Sequence, residues 1–332
     1  MKVIAKTTGT KPRFIISDKE EEPIKRLGKP NIGEEKKIIR QAMKYKPQAV
    51  VMECMALVPE YQTMEAHRLV KSTHGVITNA RADHLDVMGP TVIDVAKALS
   101  NTIPRKAKFY TAEHIYLDIF RKRARKMETE IFVSEVESVS DEDMKGFTYI
   151  EHKENVALAL LVCSHLGIEK KVALSGMYRT NPDPGVMRIY RIQDQNKEFS
   201  LVNTTAANDP DSILQLWQKF ENYPEEKIIL VNCRDDRPDR SIQLGELCGQ
   251  KFKAKWFVAT GSLTMAFIRK AISMGIPKEK IVDLDLKTPA QIYDKILELV
   301  QTKTFIFATG NTVGFGEMVI AYFAQKGGEI EY

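Results

Sequence analysis

Short β-branched runs that alternate with longer amphipathic stretches constrain this chain more than any other feature of its 332 residues. Predicted strands are Val3–Ala5, Ala49–Met52, Gly75–Thr78, Lys108–Tyr110, Ile131–Val133, Thr148–Ile150, Phe199–Val202, Ile228–Val231, Trp256–Ala259 and Phe305–Ala308. Between them lie the helical patterns Glu34–Tyr45, Thr91–Leu99, Glu113–Met127, Asn155–Leu166, Ser262–Met274 and Pro289–Val300. Strands and helices in this alternation make βαβ units, and so an α/β protein built on mostly parallel sheet.

The length exceeds what one core ordinarily serves, so two α/β domains are expected. The turn-rich stretch Thr180–Gly185 marks the boundary, giving domains at about 1–190 and 191–332. With 43% hydrophobic and 28% charged residues, the composition excludes disordered, collagenous and coiled-coil classes. The net charge of +5 comes from 49 basic against 44 acidic residues without a basic block, which argues against nucleic acid and suits an anionic substrate. Cys54, Cys163, Cys233 and Cys248 are scattered, so neither a disulfide framework nor a zinc site is expected. The longest apolar stretch, near Val156–Cys163, is far short of the roughly 20 residues that cross a bilayer. Met1 runs directly into Lys2-Val3-Ile4-Ala5 without a signal-peptide pattern, and a cytoplasmic location is expected.

The ends of the strands carry the chemistry. Val50-Val51-Met52 stops at Glu53, and Val76-Ile77-Thr78 stops at Asn79 and Asp83-His84-Leu85-Asp86. Leu230-Val231 stops at Asn232-Cys233-Arg234, and Phe307-Ala308 stops at Thr309-Gly310-Asn311. Open parallel sheets bind ligands beyond the carboxyl ends of their strands, so both domains are expected to line a cleft. Glu53, set among apolar residues, reads either as a Mg²⁺ ligand or as half of an ion pair. The Asp83–Asp86 run can hold a metal, position a water or cap a helix. Thr8 and Thr10 around Gly9, and Asn31 before Gly33, suit phosphate oxygens and equally suit plain turns. Arg234, Arg237 and Arg240 can take carboxylates, or neutralise the aspartates interleaved with them. Gly310–Gly316 departs from the dinucleotide fingerprint, and no G-x-x-x-x-G-K-[ST] phosphate loop occurs.

In order, Thr8-Gly9-Thr10, Asn31-Ile32-Gly33, Glu53, Asn79 through Asp86 and Asn155 resemble the Mur ligase superfamily of ATP-dependent amide ligases. Within it the chain is most similar to the ligase subunit of poly-γ-glutamate synthases of capsule biosynthesis. Lys6–Thr10, Pro23–Arg26, Pro30–Glu34, Glu53–Ala56, Asp83–Thr91, Pro182–Gly185, Ala206–Asp209 and Asn232–Arg240 carry that likeness. The resemblance implies a Mur-type ATP-binding domain followed by a smaller Rossmann-like domain. The chain starts at what looks like the family's second strand, so the first strand, the phosphate loop and its helix are missing from the pattern. So is the membrane segment usual at the N-terminus. Lys97 is one position away from the family's carbamylated lysine and is not assigned that role, and Asn208 stands where other branches have histidine.

The resemblance further implies ATP and Mg²⁺, and γ-glutamyl amide bond formation through an acyl phosphate. Glu53 and His84 would hold the metal, and Thr8, Thr10 and Asn31 would lie by the phosphates. Asn155 would read adenine, and Arg188 and Asp209 would reach the nucleotide across the domain interface, Arg188 with a catalytic part beside Glu53 and His84. Arg234, Arg237 and Arg240 are assigned to the glutamate carboxylates on their own chemistry. Expected partners are glutamate, the poly-γ-glutamate chain and the membrane subunits that would bring the protein to the inner face of the plasma membrane; self-association is left open. Without the phosphate loop, weak or absent activity alone is expected. The alternatives are a non-catalytic binding subunit of the capsule complex and a ligase of the folylpolyglutamate or peptidoglycan type.

Overall fold

The computed structural model describes residues 1–9, 11–17, 21–26, 31–147, 149, 151–181, 187–207, 209–301 and 303–330. Thr10, Asn208, Pro182–Gly185 and two residues of one expected strand, Thr148 and Ile150, lie outside them. The chain divides into two units, residues 1–147 with 151–181, and 148–150 with 182–332. The sequence had placed residues up to 190 in the first domain. The strand Arg188–Asp194 pairs along its length with Lys197–Asn203, and this hairpin carries residues 188–190 into the second unit instead.

The first unit holds two sheets. β1 (Val3–Lys6), β2 (Arg13–Ile16), β3 (Glu22–Pro23) and β4 (Ala49–Met52) form one, ordered β3-β2-β1-β4, with β1 and β4 parallel and the rest antiparallel. β5 (His74–Ile77), β6 (Lys108–Thr111) and β7 (Glu130–Val133) form a second, wholly parallel one. Alternation sends Ile4 and Lys6 of β1 to the same face. Ile4, Phe14 and Ile16 pack there against Ile38 and Ala42 of the helix Gly33–Met43. The helices Val92–Leu99 and Leu117–Met127 cover Ile77 and Phe109 of the parallel sheet with Ala96, Phe120 and Ala124. Among the described residues β4 pairs with β1 alone and β5 with β6 alone, and Val50 and Val51 are 41% and 58% exposed.

The second unit is one seven-stranded sheet. Its strands are β8 (Arg188–Asp194), β9 (Lys197–Asn203), β10 (Glu226–Cys233), β11 (Trp256–Gly261), β12 (Ile281–Asp285), β13 (Thr304–Gly310) and β14 (Gly327–Ile330), in the order β12-β11-β10-β13-β9-β8-β14. β8 is antiparallel to β9 and to β14; the others are parallel. Each central strand is buried on both faces. Ile229 and Val231 of β10 join one core with Trp217, Phe252, Phe267 and Phe307. Ile228 and Leu230 join the other with Ile292, Tyr293, Val319 and Phe323. From β10 the chain moves outward to β11 and β12, then returns on the other side of β10 as β13. The order of the strands therefore reverses between β10 and β13, the place where doubly wound sheets open a crevice at their carboxyl ends.

Candidate functional site

In the first unit, β1 and β4 end side by side, with Lys6 opposite Met52. The residues just beyond each strand reach across: the amide N–H of Thr8, two past β1, donates to Glu53 Oε2, and the amide of Glu53, one past β4, donates to Lys6 O at 3.1 Å. Arg26 braces this outlet. Its Nε and one terminal nitrogen donate to the two carboxylate oxygens of Glu34 at 2.7 and 2.8 Å, while the guanidinium also reaches Thr8 O at 3.0 Å and Thr8 Oγ1 at 3.3 Å. The fork geometry uses the guanidinium in the way that suits it best. The bond from Arg26 holds the Glu34 carboxyl below its ordinary range.

Beneath Thr8 lies a buried ion pair. Lys6 Nζ bonds Glu35, and Glu34 is 3.6 Å away. Burial pushes the Glu35 carboxyl up, against the pull of Lys6. Glu65, buried at the start of the π-helical segment Glu65–Val70, accepts from the amide of Met55 at 3.3 Å. Asn31 folds its Oδ1 onto the amide of Gly33 at 3.0 Å, opening the helix Gly33–Met43. Arg26, Asn31, Glu34 and Lys37 line a hollow of about 430 Å³ beside this helix.

The loop after β5 holds His84 with φ 51° and ψ 41°, a left-handed conformation that side chains with a Cβ adopt at a cost. Asp83 Oδ1 accepts from the His84 amide at 2.9 Å, and its other oxygen is 3.6 Å from His84 Nε2. Glu113, buried after β6, accepts from the amides of Ala80, Ile115 and Tyr116 at 2.7 to 2.9 Å and ties the two loops together. Arg81 of the same loop lies 3.7 Å from Glu154, the neighbour of Asn155. Asn155 is exposed in the first turn of the helix Lys153–His165, and its Nδ2 donates to Glu151 at 3.0 Å. The His84 loop and Asn155 are thus neighbours, and Glu53 stands at the end of its own strand.

In the second unit the crevice between β10 and β13 is closed by mutual bonds. The Asn311 amide donates to Asn232 O at 2.9 Å, and Asn232 Nδ2 returns a bond to Asn311 O. A Cβ on Gly310 or Gly316 would lie 2.4 Å or less from the Asn232 or Asn311 backbone, so only glycine permits this approach. Arg240 is buried on the helix Pro238–Lys251, and its guanidinium donates to the carbonyls of Ala207 and Gly310 and to Asn311 Oδ1. The sequence had set Arg240 beside Arg234 and Arg237 for substrate carboxylates. Pro238 instead starts the helix, so that Arg240, Leu244, Leu247 and Cys248 share its inner face and the guanidinium is turned inward to lock the crevice. Arg234 grips Asp236 through two bonds of 2.9 and 2.6 Å, and Arg237 precedes the helix. Asp209 caps the helix Pro210–Gln218, accepting from the amide and hydroxyl of Ser212 at 2.9 and 2.6 Å. Arg188, half exposed on β8, pairs with Glu329 of β14 at 2.8 Å.

Lys6, Arg26, Glu35 and Glu113 are the organising residues that sequence reasoning left unassigned. Glu35 was signalled by its register, one turn before Ile38 and two before Ala42 on the buried face. Lys6 was signalled by its position two residues after Ile4 on a strand with period two.

Glu53 offers a hard carboxylate oxygen in an exposed position. That suits Mg²⁺, which takes one or two carboxylates and fills its shell with water and phosphate. Among the described residues no three His, Cys, Asp or Glu side chains gather into a metal cage, so an ion here would rest on one or two protein ligands.

Residues 189–326 match the family described as the C-terminal domain of poly-γ-glutamate synthase CapB. The chain is 36% identical over 332 residues to the capsule biosynthesis protein CapB of Bacillus anthracis, covering 98% of this chain and 71% of that one. It is 35% identical over 327 residues to the PGA synthase CapB of Bacillus subtilis (strain 168), covering 96% and 82%. In fold it is similar to the bifunctional folylpolyglutamate synthase/dihydrofolate synthase of Yersinia pestis, solved with AMPPNP and a manganese ion. There the TM-score is 0.61 and the identity 13%, over 87% of this chain and 69% of that one. A relative more than a third identical over nearly all of this chain, together with a sheet whose strand ends carry the charged and amide residues the motifs singled out, places this chain in the CapB family of poly-γ-glutamate synthases.

Proposed function

We propose that the chain is an ATP-dependent carboxylate–amine ligase that forms γ-glutamyl amide bonds. In this reading a glutamate γ-carboxylate oxygen attacks the γ-phosphorus of ATP, the bond to ADP breaks, and an acyl phosphate results. The amine of the next glutamate attacks the acyl carbon, phosphate leaves, and the amine gives up a proton as the amide forms. Both steps bring negative groups together, so charge neutralisation and alignment dominate the barrier.

Glu53 and His84 would hold a divalent ion, directly or through water, and such an ion would supply screening of the phosphate charge. Thr8, Thr10 and Asn31 are assigned to the phosphates, Asn155 to the adenine, and Arg188 and Asp209 to the nucleotide. Arg234 and Arg237 take the carboxylates of the incoming glutamate. Arg240, whose donors serve internal carbonyls, keeps the crevice in shape instead. Membrane subunits bring the protein to the inner face of the plasma membrane; no described helix is itself long and apolar enough to cross one.

The observation that carries this reading is the Thr8–Glu53 bridge across the outlet of β1 and β4, which presents a braced carboxylate at the place where open sheets bind ligands. The test is glutamate-dependent release of ADP from Mg·ATP by the chain, alone and with the membrane subunits. Glu53→Ala should lower the rate at least about 100-fold if the ion is part of the transition state. Unchanged turnover in that variant would reject the assignment. Capsule formation that survives both Glu53→Ala and His84→Ala would favour a binding subunit instead.

A further inference from the structure

The second unit has another concave surface, at the end of its sheet opposite the crevice. A hollow of about 420 Å³ opens where β10, β11 and β12 begin, with Lys227 in the first of these, Lys255 just before the second and Lys280 just before the third. Phe252 and Phe257, both buried, form part of its wall, and Lys253 completes a set of four lysines against two glutamates. The charges are not equivalent. Lys255 is spent on Glu226, reaching its two oxygens at 2.7 and 2.9 Å, and Lys227 donates to the carbonyls of Tyr223 and Glu225. Lys253 and Lys280 are exposed and, among the described residues, make no ion pair.

We propose that this hollow is a holding site for a γ-linked glutamyl chain, with Lys253 and Lys280 taking successive α-carboxylates. The inference rests on the reading of the chain as part of a polyglutamate synthase. Each γ-glutamyl unit carries one free carboxylate and two main-chain methylenes, so the polymer is at once polyanionic and partly apolar. A basic rim over an aromatic wall matches both properties, whereas a purely polar anion would use only the rim. The site lies away from the strand-end loops, so a chain can be held there while its end is extended elsewhere. Exposed pairs of this kind are individually weak and salt-sensitive, and hold a polymer through repetition.

The experiment is fluorescence anisotropy of a fluorescein-labelled γ-linked glutamate decamer with the full chain and no ATP, at low and at physiological salt. Charge reversal of both lysines, Lys253→Glu with Lys280→Glu, should weaken binding about tenfold, or about 1.4 kcal/mol. Lys253→Ala with Lys280→Ala should weaken it less and flatten the salt dependence. Wild-type affinity in both variants would overturn the proposal. So would equal affinity for an α-linked glutamate decamer, because the site would then read charge alone and not the placement of methylenes and carboxylates along a γ-linked main chain. The assay needs no turnover: decamer binding that persists in a chain without ligase activity rejects the proposed reaction and spares this site, and ligase activity without lysine-dependent binding does the reverse.

Discussion

The two units solve the same problem, a parallel sheet with polar strand ends, in opposite ways. In the second, each central strand is flanked on both sides, helices cover both faces, and Asn232, Asn311 and Arg240 tie the backbone of the outlet together with hydrogen bonds. In the first, strands fall into two small sheets, Val50 and Val51 of β4 stay exposed, and the outlet is built from full charges: Lys6 with Glu35, Arg26 with Glu34, and Glu53 on the Thr8 amide. Neutral amides and one arginine hold the crevice together from within. Charges held in opposition make an outlet whose electrostatics respond to whatever ion or phosphate arrives. The second unit is arranged for shape and the first for charge.

The largest effect separating them should come from the core of the second unit. Trp217 is fully buried, stacked on Phe252 at 4.5 Å and edge-on to Phe307 at 5.3 Å. Trp217→Ala should cost about 3–5 kcal/mol in urea unfolding, in the transition that melts the seven-stranded sheet. An equal loss in both units would break the contrast.

Lys6→Met should cost about 3 kcal/mol at neutral pH, because it strands Glu35 in the interior without its cation. Burial already raises the Glu35 carboxyl, and removing Lys6 raises it further. An acid whose folded pKa lies above its unfolded value destabilises only while ionised, so the deficit should shrink as pH falls below the folded value. A deficit independent of pH would show that packing rather than charge governs the outlet.

Asp143 gives the opposite sign. Its bonds from Lys170 and from Ser140 at the capping box hold its carboxyl down to about 2. The stability it lends is therefore complete above its ordinary value and fades as pH falls towards about 2. Asp143→Asn should flatten that limb of an acid unfolding curve. The smallest change in stability, within about 0.5 kcal/mol, is expected for Val51→Lys at the exposed border of β4. Its visible effect should be on sedimentation velocity: a lysine there discourages strand pairing between molecules. Unaltered concentration dependence would mean that the border is already protected.

What the sequence revealed follows the same divide. β10 and β13 were legible because strands buried on both faces read as continuous apolar runs. β2 escaped because four residues behind Pro12 carry too little pattern, and β12 because Asp283 and Asp285 interrupt it. The helix Pro238–Lys251 is absent from the predicted elements because its opening residues are charged, and only its later register reveals which of them points inward. In the candidate site the kinds of residue were visible and their partners were not. Glu53 looked like an acid in need of a cation, and what it has here is the backbone of Thr8, forty-five positions away.

One backbone angle bears on how the chemistry can be dissected. The chain bends at His84 in a way that glycine would accept freely, whereas a residue with a Cβ gives up about 1–2 kcal/mol there. Glycine in turn forfeits about 0.5–1 kcal/mol of order on folding, which offsets about half of that gain. His84→Gly is therefore a scalpel: it excises the imidazole without a backbone penalty, so that any activity lost afterwards belongs to the ring.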